Sequence, residues 1–335
     1  MINQRRMFIL LCCQIVLLLF CFSIAEVFAS EISVEILPKT SKIPKESLLY
    51  RTIENTKAYI IKHQNQDGGW PLVPGEKSDT EITALAIWAL TEAGRGTGSR
   101  VIRNGVRYLQ RTQREDGSWN NNTAHTAFVL IALANAKADA DIRFDGLQWL
   151  KNAQNPSGSW GRKDKSPGHI LYTSAALVGF KKLGFTWTRF KPILTGMEWL
   201  GNGERVNFEN VWYLPGGTQS DIFVTSWALQ GLLPDYDLDE QIAWLKQFQH
   251  ADGGFPRFKG KPSDPEVTAA AIMALAAGND PLNTRRIAIS YFTKSQELDG
   301  GFVSDIPIEL KTPIANLQTT CFVLIAIHAK TDSDR

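Results

Sequence analysis

The sequence predicts an all-α fold, an α/α toroid in which six helical hairpins form two concentric rings. The first observation is a repeat. Six times an apolar segment leads into a glutamine, a tight glycine turn and a large aromatic residue, and a second apolar segment follows. The aromatic residues, of which the fourth closes a degenerate copy, are Trp70, Trp119, Trp160, Trp212, Phe255 and Phe302. They lie 41 to 52 residues apart, a period typical of helical repeats that bury their apolar faces by stacking on neighbouring units.

The segment before each turn has the pattern of a helix that packs on one side only. In the second unit Val101, Gly105, Tyr108 and Leu109 fall on one helical face, whereas charged residues such as Arg107 fall elsewhere. We therefore predict one outer, amphipathic helix in each unit.

The segment after each turn has no polar face. The stretches 83–90 and 126–133 are wholly apolar after their first threonine. Such a run is either a helix buried all round or a buried parallel strand. Alanine content, length beyond eight residues and six helix-like starts favour the helix. Six inner helices about 10 Å across would leave a central gap of roughly 10 Å, which interlocked side chains or one slender apolar ligand would fill.

Composition and the N-terminus restrict the class of function. The chain has 335 residues and a formal net charge of +2, which is too small to indicate nucleic acid as a partner. Residues 1–29 have the basic start, apolar run and small-residue cleavage pattern of a signal peptide, with an uncleaved anchor as the alternative. We expect an exported protein, periplasmic or secreted, with a linker over 30–46, one toroid domain of six repeats over 47–330 and a tail over 331–335.

The repeat resembles the QW repeats of squalene-hopene and oxidosqualene cyclases and, more loosely, the β subunits of protein prenyltransferases. The second copy follows the cyclase pattern through Gly105, Tyr108, Leu109, Gln113, Gly117 and Trp119. The resemblance runs from about residue 47 to 329 and implies a single toroid. It also implies that the glutamine and the aromatic residue staple one helical pair to the next, so that the repeated motif is structural.

The resemblance also selects candidate catalytic residues at the starts of the inner helices. Hopene cyclases carry Asp-Xaa-Asp-Asp-Thr-Ala at such a start, and the middle Asp protonates an alkene. The nearest matches here are the pairs Asp79/Glu81 and Asp264/Glu266, in which the third acid is replaced by an aliphatic residue. The runs 78–81 and 263–266 also spell Ser-x-x-Glu, which is the capping box of a helix start, so capping competes with catalysis.

Other residues at these starts and in the inner segments are candidates for lining a cavity. His125 and His169 begin neighbouring inner helices and could face the cavity or simply be hydrogen-bonded. Asp221 stands where prenyltransferases place the aspartate of a zinc pair, but Phe223 replaces the cysteine, so no metal or other cofactor is predicted. Aromatic side chains that either fill the core or line a cavity come from successive inner segments: Trp88, Phe128, Tyr172, Trp227 and Phe322.

Three functions remain open on these residues. The first is an exported, terpenoid-cyclase-like toroid that binds an apolar isoprenoid or lipid-like ligand, or a partner protein, at its central cavity. The second is a class II terpene-cyclase-like enzyme that protonates an isoprenoid with Glu81 and Asp79. The third is a carbohydrate-active α/α barrel, which would use paired acids in an open cleft.

Overall fold

The computed structural model describes residues 47–201, 211–214, 217, 219–280, 282–306 and 313–330. These residues form twelve helices, which alternate between an outer and an inner position along the chain. The outer helices are α1 Leu48–Lys62, α3 Arg100–Thr112, α5 Ala140–Asn152, α7 Lys191–Leu200, α9 Asp239–Lys246 and α11 Leu282–Ser295. The inner helices are α2 Thr80–Glu92, α4 Thr123–Asn135, α6 Ile170–Lys182, α8 Ile222–Leu232, α10 Pro265–Ala277 and α12 Leu317–Ile327. The predicted signal peptide, the linker and the tail lie outside the described residues.

The six inner helices form a closed ring. Each packs against the inner helix before it and the one after it, and α12 packs against α2. The all-α prediction is therefore confirmed, and a buried parallel strand at these segments is wrong. Two short strands, β1 Phe302–Val303 and β2 Ala315–Asn316, pair antiparallel just before α12. None of the helices that the structure describes is both long and apolar enough to span a lipid bilayer.

Each inner helix begins at a polar cap and is then buried on every side. Asp79 caps α2 by accepting hydrogen bonds from the backbone N–H groups of Glu81 and Ile82, which would otherwise lack partners at a helix start. The threonine four residues after the cap binds the turn that precedes the helix: Thr83 Oγ1 accepts from the Trp70 backbone N–H at 2.8 Å. These bonds fix the inner helix to its own turn.

The glutamine of each turn fixes that turn to the next unit. Gln113 Nε2 donates to Gly117 O within its own turn and to Ile142 O in the next outer helix, α5, both at 3.0 Å. The same pair of hydrogen bonds, one within the turn and one to the next outer helix, is made by Gln64, Gln154, Gln249 and Gln296. The last of these reaches Thr52 O in α1, so one interaction joins successive units and also closes the ring.

The aromatic residue and the glycine complete this joint. Trp119 is fully buried and its Nε1 donates to Leu109 O, at the end of its own outer helix, at 2.8 Å. Its ring lies against Gly146 of the next outer helix, where a Cβ atom would be 2.7 Å from a ring carbon. Trp212 of the degenerate fourth copy is also buried and donates to Leu200 O at 2.9 Å. The aromatic position is therefore kept where the rest of the motif has changed.

The close approach of two backbones predicts a large cost for filling the turn glycine. Gly117 has φ +87°, and a Cβ atom there would lie 2.5 Å from Asp145 O. Gly94 has a similar φ of +81°, with open space around it. Gly94→Ala should lower the free energy of unfolding by about 1 kcal/mol through backbone strain alone. Gly117→Ala should lower it by about 3 kcal/mol or more, because α5 must also move.

Urea denaturation of the two variants beside the wild type measures the difference. Equal losses of stability in both would contradict the close-packed joint.

Candidate functional site

The centre of the ring is filled by aromatic side chains halfway along the inner helices. Phe128, Trp227 and Phe322 each lie six residues after the cap of α4, α8 and α12, and each is only 4% exposed. Their ring centroids are 5.7 to 6.2 Å apart, and Trp88 joins them at 6.2 Å from Phe128. Helices α4, α8 and α12 are not neighbours in the ring, so this aromatic cluster meets at the ring axis. It separates the two ends of the ring.

A cavity of about 500 Å³ opens at the C-terminal end of the inner helices. All six inner helices, or the residues that directly follow them, contribute to its wall. The deeper part of the wall lies two to four residues before the helices end and is formed by the apolar side chains of Trp88, Val178, Met273 and Ile325 together with the polar Gln230. Polar and charged side chains lie at or beyond the helix ends: Glu92, Asn135, Lys181, Lys182, Asp235, His328 and Lys330. The deeper wall is thus mainly apolar, and the mouth carries the charged side chains.

The charges at the mouth are partly paired. Lys181 Nζ lies 2.9 Å from Asp235 Oδ2 and donates to Leu233 O at 3.0 Å. Burial lowers the pKa of Lys181, and the contact with Asp235 opposes that effect. Lys182 Nζ lies 5.9 Å from the centre of the Trp88 ring, whose Nε1 donates to Glu92 Oε1 at 3.2 Å. An anionic or polar group at the mouth would therefore meet ammonium groups beside an apolar floor.

The opposite, N-terminal end of the ring holds a carboxylate and an imidazole in contact. His125 Nε2 lies 3.1 Å from Glu81 Oε2, and both side chains are partly exposed. Burial alone would raise the pKa of Glu81, but the charge and hydrogen bond of His125, together with Arg162, hold it below its ordinary value. Burial alone would lower the pKa of His125, yet Glu81 and Asp79 raise it. At neutral pH Glu81 is therefore ionised.

Glu266, which holds the position of Glu81 in the fifth unit, has the opposite protonation state. Glu266 is 1% exposed; its Oε1 accepts from Gln318 Nε2 and its Oε2 from Thr319 Oγ1, both at 2.7 Å. Burial raises the pKa of Glu266 to about 8, with the nearby Asp264 and Glu81 charges adding to the effect. Burial also raises the pKa of Asp264. Glu266 is thus a largely protonated carboxylic acid at neutral pH.

The predicted capping boxes do mark the starts of two inner helices. The capping side chains, however, are not the serine and glutamate of the Ser-x-x-Glu runs. The caps are Asp79 and Asp264, each of which accepts two backbone N–H groups. Ser78 Oγ instead donates to Asp67 at 2.7 Å, and Glu81 reaches forward to His125. Both glutamates contact the next inner helix because the ring brings adjacent helix starts together. This long-range contact has no local signal in the sequence.

The remaining candidates at this end have structural roles. His169 caps α6: its Nδ1 accepts from the Leu171 N–H at 3.2 Å, and burial lowers its pKa. Its ring packs against Tyr172 at 5.2 Å. Asp221 caps α8 and binds Arg257 Nε at 3.0 Å while only 2% exposed. This pair of a buried Asp221 and a half-buried Arg257 stands where the prenyltransferase comparison suggested one zinc ligand.

This cavity lies at the C-terminal end of the inner helices, opposite the helix starts that hold most of the candidates predicted from the sequence. Of the eight predicted lining residues, Trp88 contributes to its wall, and Phe128, Trp227 and Phe322 form the aromatic cluster. The other four, His125, His169, Tyr172 and Asp221, are at the N-terminal end and do not line this cavity, so a cavity-lining role for them stays a prediction. Lys181, Lys182 and Gln230 were missed. Their signal was a polar residue at the close of an otherwise apolar inner segment.

Comparison with known proteins agrees with this architecture. Residues 37–128 match the model of the squalene-hopene cyclase C-terminal domain, and residues 221–328 match that of the prenyltransferase alpha-alpha toroid domain. A drimenyl diphosphate synthase from Streptomyces showdoensis is 25% identical over 237 residues, which are 67% of this chain and 35% of that protein. The chain therefore spans about a third of the length of this relative.

Two solved structures share the fold. A type II terpene cyclase from Scytonema, in complex with its substrate geranylgeranyl dihydroxybenzoate, has a TM-score of 0.63 and 14% identity over 84% of this chain and 97% of its own. A glycosidase in complex with glucose has a TM-score of 0.59 and 16% identity over 85% of this chain and 98% of its own. Since both identities are low, this likeness shows the fold alone.

The buried acid predicts a pH-dependent stability. Glu266 has a pKa of about 8 in the folded protein and an ordinary value of 4.5, so between these values the folded state keeps a proton that the unfolded state has lost. The contribution of Glu266 to the free energy of unfolding is therefore largest below pH 4.5 and is lost as the pH rises to 8. Relative to Glu266→Gln, the wild type should lose on the order of 4 kcal/mol of unfolding free energy over that range.

Urea titrations of the wild type, Glu266→Gln and the exposed control Glu115→Gln at several pH values give the comparison. If the free energies of unfolding of the wild type and Glu266→Gln change in parallel with pH, the pKa of Glu266 is the same in the folded and unfolded states and the prediction is wrong.

Proposed function

Because the chain is an α/α toroid similar to the squalene-hopene cyclases and the prenyltransferases, we propose that it binds an apolar small molecule with a polar head group. The observation that carries the proposal is the cavity of about 500 Å³ with wall residues at the ends of all six inner helices. A volume of this size is typical of sites for small organic ligands, which are concave and mainly apolar with a few placed polar groups.

The chemistry of the wall specifies an amphiphile. Trp88, Met273 and Ile325 offer an apolar floor, whereas Lys181, Lys182 and Lys330 lie at the mouth. An isoprenoid or other lipid-like body would pack on the floor and gain from leaving water. An anionic head group would remain at the mouth, beside the lysines. The substrate in the Scytonema structure, a geranylgeranyl chain on a dihydroxybenzoate, has this division between an apolar body and a polar head.

Export is part of the same proposal. The basic start, the apolar run and the small residues before position 30 are typical of a signal peptide. An exported binding protein would meet lipid-like molecules in the periplasm, at a membrane or outside the cell.

Proton-initiated isomerisation or cyclisation of an isoprenoid is the second candidate. It is favoured by the family match over 37–128, which includes the Asp79/Glu81 pair, and by the similarity to a drimenyl diphosphate synthase. The electrostatics of the acids argue against it. Glu81 is ionised, and a Glu266 carboxyl with a pKa of about 8 is a weak proton donor for an alkene. Glu81 also lies about 16 Å along α2 from Glu92 at the cavity mouth.

A glycosidase-like function finds little support at the cavity. Glycoside hydrolysis uses two carboxyl groups on either side of one bond. The carboxylates at the mouth are Glu92 and Asp235, which are engaged with Trp88 and Lys181 respectively.

A pair of matched substitutions tests the binding proposal. Ala277 ends α10 at the cavity mouth, and Ala93 follows the end of α2 outside the residues that line the cavity. Full-length protein expressed with its own N-terminus, and recovered from the exported fraction, should carry a co-purifying lipid-like molecule in native mass spectrometry and lipid extraction. Ala277→Phe should lower its occupancy about tenfold or more, because the ring takes the ligand's space. Ala93→Phe should leave occupancy unchanged.

Circular dichroism and thermal melting establish that both variants fold. A ligand-free wild type, or equal occupancy in the two folded variants, would refute binding at the cavity.

The two candidate functions separate on one further variant. If the protein only binds its ligand, Glu81→Gln should leave the extracted molecule chemically identical and equally abundant, since Glu81 is at the other end of the ring. Loss of conversion of a polyprenyl substrate in Glu81→Gln, with folding intact, would favour the second candidate instead.

A further inference from the structure

We propose that Asp79, Glu81 and His125 form a binding site for a divalent transition-metal ion of the Zn²⁺ class. The site lies at the N-terminal end of the inner ring, on the other side of the aromatic cluster from the cavity. It is independent of the proposed function. The sequence-based expectation of no metal rested on the start of the fourth unit, where Phe223 replaces a cysteine, whereas this set comes from the first and second units.

The donor set has the chemistry of such a site. One ligand atom from each of the three side chains lies within 4.8 Å of the other two, and His125 Nε2 is 3.1 Å from Glu81 Oε2. Zn²⁺ takes imidazole nitrogen and carboxylate oxygen at about 2.0–2.2 Å, which needs ligand atoms some 3.4 Å apart in a tetrahedral arrangement. Small side-chain rotations would therefore close the set around an ion. Two carboxylates and one imidazole leave a further position for water.

The fold delivers these ligands without disturbing the helix cap. Asp79 accepts both of its backbone N–H bonds with Oδ1, so it can offer Oδ2 to an ion and keep the cap. Glu81 lies two residues further on the same helix, and His125 occupies the third position of α4, the adjacent inner helix. The three ligands thus come from two helix starts that the closed ring holds side by side.

A neighbouring amide can fix the tautomer that a metal requires. When His125 binds an ion through Nε2, its Nδ1 carries the proton and needs an acceptor. The Asn120 side-chain amide lies 3.1 Å from Nδ1. Its nitrogen and oxygen exchange places by a rotation of 180°, after which the oxygen accepts that proton. Asn120 itself is held at φ +58°, in the left-handed region that asparagine tolerates better than most residues.

The fifth unit provides an internal control. Asp264 and Glu266 repeat the spacing of Asp79 and Glu81, but the next inner helix presents Gln318 and Thr319 instead of a histidine. In addition, Ser304 Oγ donates to Asp264 Oδ1 and the Asp305 N–H donates to Asp264 Oδ2. Glu266 is buried, whereas the side chains of Glu81 and His125 are 26% and 14% exposed. An ion can therefore reach the first pair from solvent, and the fifth unit lacks the nitrogen ligand.

Calorimetric titration of untagged full-length protein with Zn²⁺ tests the site. We expect one ion per chain with tight binding at pH 7.5. Both His125→Ala and Glu81→Gln should weaken that binding about 100-fold, and Glu266→Gln should leave it unchanged. Mg²⁺, which prefers oxygen ligands and octahedral geometry, should compete poorly. Circular dichroism and melting confirm the fold of each variant, and Glu81→Gln tests the site if His125→Ala fails to fold.

Acidification is a second readout that involves no mutation. A proton competes with the ion for His125, around which Asp79, Glu81 and Arg162 are the charged neighbours. The affinity for Zn²⁺ should fall about tenfold or more between pH 7.5 and 5.5. A wild type that binds no Zn²⁺, or Zn²⁺ binding that is equal in the wild type, His125→Ala and Glu81→Gln, would overturn the assignment.

Discussion

The whole ring depends on a contact between two backbones. In five turns a glycine with positive φ lies against a carbonyl of the next outer helix, as Gly117 does against Asp145. A side chain at the glycine would push the turn and the helix apart. In the native structure the glutamine amide joins the same two segments by hydrogen bonds. The contact occurs at five of the six joints among the described residues: Gly68, Gly117, Gly158, Gly253 and Gly300. At these five joints a turn is held close against the next outer helix, and the last of them, Gly300 against Asn55, closes the ring.

Closure determines what each end of the ring can do. Aromatic side chains from alternate inner helices meet on the axis and divide the interior. One end presents six helix N-termini, whose positive dipole ends favour carboxylates such as Asp79 and Glu81. The other presents six C-termini, where Lys181 and Lys182 complement the negative dipole ends. The acids and the cavity therefore belong to different surfaces of the molecule, although the chain order places them on the same helices.

The fold was predictable because its signals are local and repeated. A glycine, a glutamine and an aromatic residue within seven positions mark each turn, and wholly apolar segments mark the inner helices; even the altered fourth copy kept Trp212. The site was less predictable, because its properties depend on residues from the neighbouring unit. Glu81 and Glu266 share the local pattern Ser-Asp-x-Glu-x-Thr-Ala. Even so, His125 keeps Glu81 ionised, whereas burial beside Gln318 and Thr319 leaves Glu266 protonated. The prediction from sequence named residues at the helix starts, whereas the mouth of the cavity is formed at the helix ends by residues such as Glu92, Asn135 and Lys182.

The bond from Gln296 to Thr52 joins residues 244 positions apart, and it has an evolutionary consequence. A linear array of repeats can gain or lose a unit at either terminus and keep its remaining interfaces. A circle has no such freedom, because deleting one member breaks two interfaces at once and changes the curvature demanded of all the others. Variation in length must then accumulate outside the inner ring, in the connecting loops and in the outer helices, which have 8 to 15 residues. This accounts for inner helices of nearly constant length, 11 to 13 residues, within a period that ranges from 41 to 52.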